Sequence, residues 1–323
     1  MHIDAGKPVP HLVGTTIENN RMIAATIAFN VPVGFLMLRD AMREDRALRE
    51  SYFGDLDMLF YAGASLPQEV WSDLETMARE VRGDVPLFTS SWGLTETAPA
   101  AIVQHEASAP GAGVLGVPMT GVTIKAVPDD DGRLDIRVKG PNVFRRYLND
   151  PDRTDAAFDE EGFFITGDAM RLFDPNDVSK GLCFDGRLSE DFKLATGTWV
   201  RAANIRLDVL EHLKGLVQDV VLCGEGKGEI GLLVVPLAGT DGTPGDGVLV
   251  APDLMREILE RLGQRRTEGS STRIGPVAIL SDPPSMPAGE VTAKGNLNFR
   301  KLLSLRADVV ARIFAPEWQS KVQ

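Results

Sequence analysis

Two short apolar runs on either side of one amphipathic helix pattern constrain this chain more than any other feature. "DLDMLFYAG" (55–63) reads as a buried strand that ends at Gly63. "LPQEVWSDLETMAREVRG" (66–83) has apolar residues at helical spacing, with Pro67 near its start and Gly83 just past its end. "VPLFTS" (85–90) reads as a second strand. With connections this short, strand, helix and strand form an α/β unit, and the crossover predicts parallel strands. Ligands of such sheets sit at the carboxyl ends of the strands. Two loops leave those ends, Gly63-Ala64-Ser65 and Ser90 to Thr97, and they are expected to lie side by side.

Before this unit, "VPVGFLMLRDAMREDRALRESYF" (31–53) predicts one helix, with Pro32 suited to its first turn. After about residue 110 the pattern shortens. "GVTIKAVPDDDGRLDIRVKG" (121–140) predicts a hairpin with an acidic Gly turn, and 158–174 and 181–187 predict further strands. A small antiparallel sheet or distorted barrel is expected. Beyond Arg187 come a helix (202–215), a hairpin (217–237), a flexible loop (240–247), a helix (252–266), a strand (274–282) and a final helix (298–314). That order predicts a compact α+β domain. The expected domains are 1–188 and 189–323.

Composition narrows the function classes. The net charge of −12 argues against a nucleic-acid-binding protein, which would show a basic stripe. Cys183 and Cys223 are far apart and fit no metal or redox spacing, so a reducing, cytoplasmic setting is expected. His2, His11, His105 and His212 form no i, i+4 pair that would suggest zinc. No run reaches the roughly 18 apolar residues of a membrane helix. The start, "MHIDAGKPVPHLVG", has no basic region followed by a long apolar one, as a signal peptide would.

Several strings imitate motifs. "GAGVLG" (111–116) matches G-x-G-x-x-G, but Pro110 precedes it and a β-rich run follows, where the dinucleotide fingerprint needs a strand and then a helix. "DDDGRLDIRVKG" has a misplaced glycine and no closing glutamate for a calcium loop. "GEGKGEIG" (224–231) reads as a hairpin turn, and no P-loop pattern occurs.

Four strings remain: Ser91 to Thr97, Thr166-Gly167-Asp168, "GRLSEDFKLATG" (186–197) and "PAGEVTAKGNLN" (287–298). Taken singly, each has a structural explanation. Thr-Gly-Asp suits a turn, Glu96 suits a cap or an ion pair, and a lone Lys294 suits a solvated surface.

In this order and spacing the four strings resemble the adenylate-forming enzymes, which include acyl-CoA synthetases, aryl-CoA ligases, luciferases and peptide-synthetase adenylation domains. The family pattern [YW]-G-x-T-E is matched by Trp92 to Glu96, and T-G-D by Thr166 to Asp168. G-R-x-x-[DE]-x-x-K-x-x-G is matched by Gly186, Arg187, Asp191 or Glu190, Lys193 and Gly197, and the lysine motif by Gly289 to Gly295. Within the family, "GLCFDGRLSEDFKLATGTWV" and "SSWGLTETAP" look most like feruloyl-CoA synthases, which serve phenylpropanoid degradation.

The resemblance implies an α/β plus α+β fold: part of an adenylating domain, with a parallel α/β unit and a small barrel-like subdomain, then a small mobile C-terminal domain. It implies ATP, Mg²⁺, CoA and a carboxylic acid such as ferulate as ligands, forming an acyl-adenylate and then a thioester. Thr95, Glu96 and Lys294 would act in catalysis, with Glu96 on the metal. Gly63, Ala64, Ser65, Trp92, Gly93, Thr95, Asp168 and Arg187 would hold the nucleotide. Lys193 and Gly197 would border the pantetheine of CoA. Ser189 occupies the hinge position, usually Asp or Lys in the family.

The family's Ser/Thr/Gly-rich phosphate loop has no counterpart here. The expectation is a chain that starts inside the large domain, has the missing N-terminal half as a partner, and adenylates weakly or not at all alone. The alternatives are a fatty-acyl-CoA ligase and a non-catalytic AMP- or CoA-binding remnant.

Overall fold

The computed structural model describes residues 5–9, 11–63, 66–106, 113–129, 133–266, 269, 271–292 and 297–318. The chain divides into two compact units, Met1–Phe184 and Asp185–Gln323.

The first unit opens with α1 (Val13–Met22) and β1 (Ile27–Asn30), neither of which the apolar pattern signals. The helix expected over 31–53 is two helices, α2 (Pro32–Glu44) and α3 (Arg46–Gly54). Asp45 separates them with an extended backbone (φ −120°, ψ 98°), and its carboxylate accepts the Leu48 N–H at 2.9 Å. An aspartate N-cap is worth about 1 kcal/mol, so the break is stabilised at the residue that causes it. The expected α/β unit follows as β2 (Met58–Tyr61), α4 (Gln68–Arg82) and β3 (Leu87–Trp92). β1, β2 and β3 pair in parallel, with Met58 opposite Leu87 and Tyr61 opposite Ser90. Gly83 ends α4 at φ 86°, a left-handed position glycine takes without strain. Val70, Trp71, Leu74, Met77 and Ala78 of α4 pack with Phe35, Phe53, Leu59 and Phe88 as one core. Full burial of a side chain such as Leu74 contributes about 1.5–3 kcal/mol.

The sheet then turns antiparallel through β4 (Ile102–Val103), β5 (Val114–Pro118), β6 (Thr123–Pro128) and β7 (Leu134–Lys139). A short helix, α5 (Pro151–Ala156), precedes β8 (Phe164–Asp174) and β9 (Asp177–Arg187). Among the described residues the strand order is β1-β2-β3-β4-β5-β9-β8-β7-β6. Val114 starts a strand directly after Gly113, so the glycine string there lacks the helix of a dinucleotide fingerprint.

The second unit contains β10 (Phe192–Lys193), β11 (Trp199–Val200), α6 (Ala202–His212), β12 (Val217–Cys223) and β13 (Ile230–Pro236). The loop expected over 240–247 is partly a hairpin, β14 (Thr243–Gly245) with β15 (Val248–Val250). Next come α7 (Pro252–Gly263) and β16 (Ile274–Ile279), which pairs in parallel with β13. The final helix is again two, α8 (Phe299–Leu305) and α9 (Ala307–Ile313), broken at Arg306 (φ −104°, ψ 23°). β13 is buried almost throughout because helices cover both faces of its sheet.

Candidate functional site

In the first unit the site forms where β3 ends. The strand runs two residues further than the apolar run predicts, to Trp92, because Ser91 and Trp92 pair with Val103 and Ile102 of β4. The chain then turns through a single 3₁₀ turn, Thr95–Thr97. The Thr97 hydroxyl accepts the Leu94 N–H at 2.8 Å, and the Asn142 side-chain amide donates to the carbonyls of Thr97 (3.0 Å) and Ala100 (2.8 Å). A Cβ on Gly93 would lie 2.1 Å from the Pro99 carbonyl oxygen and 2.7 Å from Ala100 Cα, so only glycine fits this fold-back. Ala98 takes the left-handed conformation (φ 51°), uncommon for a residue with a side chain.

This loop meets the Thr-Gly-Asp turn. The Trp92 indole N–H donates to Asp168 Oδ2 at 2.9 Å. Both residues are buried, and the indole packs with Ile102, Ile136, Val138 and Met170. What the indole offers the site is therefore its N–H. Thr166 donates its hydroxyl to the Ile136 carbonyl (2.5 Å) and accepts the Asp168 N–H (3.1 Å), and Gly167 between them has φ 73°. The T-G-D string thus fixes the Asp168 backbone while Trp92 holds its carboxylate.

Glu96 has a partner that the sequence did not point to. Tyr147, 51 residues downstream, donates its hydroxyl to Glu96 Oε1 at 2.9 Å. Burial, then the neighbouring Glu96 carboxylate, pushes the Tyr147 phenol above its ordinary pKa, so it remains a donor at neutral pH. The Arg153 guanidinium lies 4.0 Å from the centre of the Tyr147 ring. These residues line a cavity of about 280 Å³ with Leu94, Phe164 and Thr166. Thr95 is exposed beside it. A "Y-x-N-x-P" string beside a helix start was the available signal, but nothing local ties Tyr147 to Glu96.

Gly63, the described part of the expected adenine-side loop, is exposed just past β2 with φ 91°. Ala64 and Ser65 lie outside the described residues. Tyr61 opposite Ser90 places the two strand ends next to each other, as the α/β reading expected.

In the second unit, Arg187 is exposed at the end of β9, and Ser189 is exposed in a 3₁₀ turn, Leu188–Glu190. Of the two acidic candidates beside it, Asp191 ties the segment to α6 by accepting the Ala202 N–H at 3.0 Å. The segment lines a cavity of about 490 Å³ with Arg206, Lys227, Phe299 and Val310. Lys193 and Gly197 belong to the β10–β11 hairpin. Phe192 and Leu194 point inward, while the Lys193 ammonium sits 4.8 Å from the centre of the Trp199 ring. Gly197 takes φ 84° at the turn. Lys294 lies outside the described residues. Among the described residues no group of three or more His, Cys, Asp or Glu is arranged to hold a metal ion, and no helix is long and apolar enough to cross a membrane.

Residues 6–148, which include the Trp92-to-Glu96 loop, match the AMP-binding enzyme family. Curated relatives of the chain include the chloroplastic long-chain-fatty-acid–[acyl-carrier-protein] ligase AEE15 of Arabidopsis thaliana. It is 25% identical over 247 residues, which are 71% of this chain and 32% of that protein. Long-chain-fatty-acid–CoA ligase 6 of Homo sapiens is 31% identical over 200 residues, 56% of this chain and 28% of that protein. Two solved structures share the fold. ATP-bound MatB from Rhodopseudomonas palustris has TM-score 0.62 and 20% identity, covering 92% of this chain and 54% of that one. The anthranilate CoA ligase AuaEII in complex with anthranoyl-AMP has TM-score 0.62 and 17% identity, covering 96% and 55%. The chain therefore spans about a third of the length of these curated relatives and about half of these solved structures.

Proposed function

We propose that this protein serves in the ATP-dependent activation of a carboxylic acid to an acyl-adenylate, followed by transfer of the acyl group to the thiol of CoA. The observation that carries this reading is the Trp92–Asp168 hydrogen bond, which joins two of the four motif strings into one site. In the first step a carboxylate oxygen attacks the α-phosphorus of ATP, and the bond to pyrophosphate breaks with its electron pair leaving on pyrophosphate. Asp168 accepts the ribose hydroxyls. The exposed Thr95 hydroxyl donates to an α-phosphate oxygen, where charge develops. Gly63, Ala64 and Ser65 border the adenine, Arg187 takes ribose or phosphate, and Lys294 bridges the carboxylate and the α-phosphate.

Mg²⁺ is commonly bound by one or two carboxylates plus substrate phosphates, so a single well-oriented glutamate fits it. Glu96 is that glutamate, and Tyr147 leaves its second carboxylate oxygen for the ion. Bound there, the metal would spread charge on the phosphate oxygens. In the second step the CoA thiol, as thiolate, attacks the acyl carbonyl and AMP leaves. Lys193 and Gly197 border the pantetheine, and Ser189 is the pivot between domains 1–188 and 189–323.

The proposed acid is a hydroxycinnamate such as ferulate. A long-chain fatty acid is the second reading, favoured by two relatives named as long-chain-fatty-acid ligases. Calorimetric binding of AMP and of non-hydrolysable feruloyl- and palmitoyl-AMP analogues tests both. The expected order is feruloyl-AMP analogue at least tenfold tighter than AMP. A palmitoyl preference would replace ferulate with a fatty acid. AMP binding with no gain from either acyl group would support the non-catalytic remnant, and no saturable AMP binding would sink the adenylate reading.

A further inference from the structure

The cavity beside Glu96 holds a second charged group that the proposed reaction leaves unused. Arg153 lines it together with Glu96, Tyr147 and Thr166. The Arg153 guanidinium lies 4.0 Å from the centre of the Tyr147 ring, on the same tyrosine whose hydroxyl donates to Glu96 Oε1 at 2.9 Å. Tyr147 thus contacts a carboxylate and a guanidinium at once, and the two charges do not pair with each other. Among the described residues neither Glu96 nor Arg153 makes an ion pair. Elsewhere in this unit arginines meet carboxylates directly, as Arg137 does with Asp135 and Asp159, and Arg39 with Asp73.

Local structure fixes the arginine there. Asn149 turns the chain with φ 57°, and Asp150 caps α5 by accepting the Arg153 N–H at 3.1 Å. The Thr154 hydroxyl donates to the Asp150 carbonyl (2.7 Å) and accepts the Tyr147 N–H (3.0 Å). That second bond ties the first turn of α5 to the tyrosine over which it carries the arginine. Upstream, the Phe144 N–H donates to the Glu96 carbonyl at 2.8 Å, and the Phe144 and Tyr147 ring centres lie 4.7 Å apart. One segment, 144–154, therefore positions both charges. Arg153 is exposed, so a ligand can reach it.

We propose that Arg153 binds the β,γ-phosphate end of ATP, the part that leaves as pyrophosphate. A carboxylate and a guanidinium left unpaired in one cavity match a ligand that carries both complementary charges, a divalent cation for Glu96 and phosphate oxygens for Arg153. Cation–π attraction to Tyr147 holds the guanidinium and leaves its planar N–H donors for those oxygens. The cavity of about 280 Å³ falls just short of the roughly 300–1,000 Å³ of whole small-molecule sites and suits one end of a nucleotide. Asp168, assigned to the ribose, is not among its lining residues. The identity of the ligand as ATP rests on the adenylating reading, whereas the affinity for pyrophosphate is tested without it.

Calorimetry on the full chain with MgCl₂ tests it, with inorganic pyrophosphate, ATP and AMP as separate titrants. Arg153→Gln should weaken pyrophosphate and ATP at least fivefold and AMP less than twofold. In the unmodified protein, pyrophosphate with Mg²⁺ should slow phenylglyoxal modification of Arg153 at least threefold relative to the exposed Arg79 of α4, read by peptide mass spectrometry, and AMP should not. This second measurement needs no variant to fold. No saturable pyrophosphate binding, an unchanged affinity in Arg153→Gln, equal losses of AMP and pyrophosphate, or modification of Arg153 unaffected by pyrophosphate would each overturn the proposal. If the unmodified protein still binds AMP, any of these results leaves the adenylating reading in place. Absence of AMP binding, with pyrophosphate still protecting Arg153, would overturn that reading and keep the phosphate site.

Discussion

The indole N–H of Trp92 reaches Asp168 Oδ2 at 2.9 Å across 76 residues of sequence. Because both groups are buried, the bond is shielded from competing water, and a hydrogen bond to a charged group is worth about 1.5–3 kcal/mol. Trp92→Phe retains an aromatic ring and removes only the donor and part of the ring volume. AMP affinity should fall about tenfold, the equivalent of roughly 1.4 kcal/mol, by calorimetry. An unchanged affinity would mean that Asp168 is held without the indole.

Tyr147→Phe removes the hydroxyl that orients Glu96. Removing the partner of a metal-holding carboxylate commonly weakens the metal by about 10-fold or more. The Mg²⁺ concentration at half-saturation for ATP binding should rise by about that factor, while binding of AMP without metal should change little. Equal losses with and without Mg²⁺ would assign Tyr147 to the fold instead.

Gly93→Ala places a methyl group against the backbone at Pro99 and Ala100, which cannot move aside as a side-chain tip could. The expected cost is about 1–3 kcal/mol in urea unfolding, with AMP affinity falling as the loop shifts. An unperturbed variant would show that the fold-back is looser than its packing implies.

The Arg306 hydrogen bonds, the largest effect, hold the Glu290 carboxyl below its ordinary pKa, with a further lowering from the Ser285 N–H, against burial. A carboxyl lowered in the folded state contributes stability that is present above its unfolded pKa, about 4.3, and lost as pH falls through the folded value. Glu290→Gln should therefore be less stable than the unmodified protein at pH 7, by about 3 kcal/mol if it behaves as other broken buried pairs do. That gap should narrow below about pH 4. Urea unfolding at pH 7 and pH 3.5 checks this, and a gap independent of pH would show that charge on Glu290 is not what matters.

The legible parts were those set by local pattern. The helix 68–82 between two parallel strands followed from apolar spacing, a proline start and a glycine end. The two long helices that the pattern predicted were each broken, at Asp45 and Arg306, because residues on both sides keep helical apolar spacing. A break driven by one residue's side-chain partner leaves that spacing intact. Tyr147 was invisible for a similar reason, since what ties it to Glu96 is a hydrogen bond between residues far apart in sequence.

By itself the sequence determined the strand–helix–strand order over 55–90 and the residue types at the site, though not α1, β1 or the two helix breaks, because periodicity, turn glycines and short motif strings are local properties. It also supplied the resemblance on which the proposed chemistry rests. Tertiary structure alone decided which groups meet: Trp92 with Asp168, Tyr147 with Glu96, and Arg306 with Glu290. Each of those contacts depends on strands and helices packing at particular registers, and a linear pattern of apolar residues fixes which face is buried without fixing what lies opposite it.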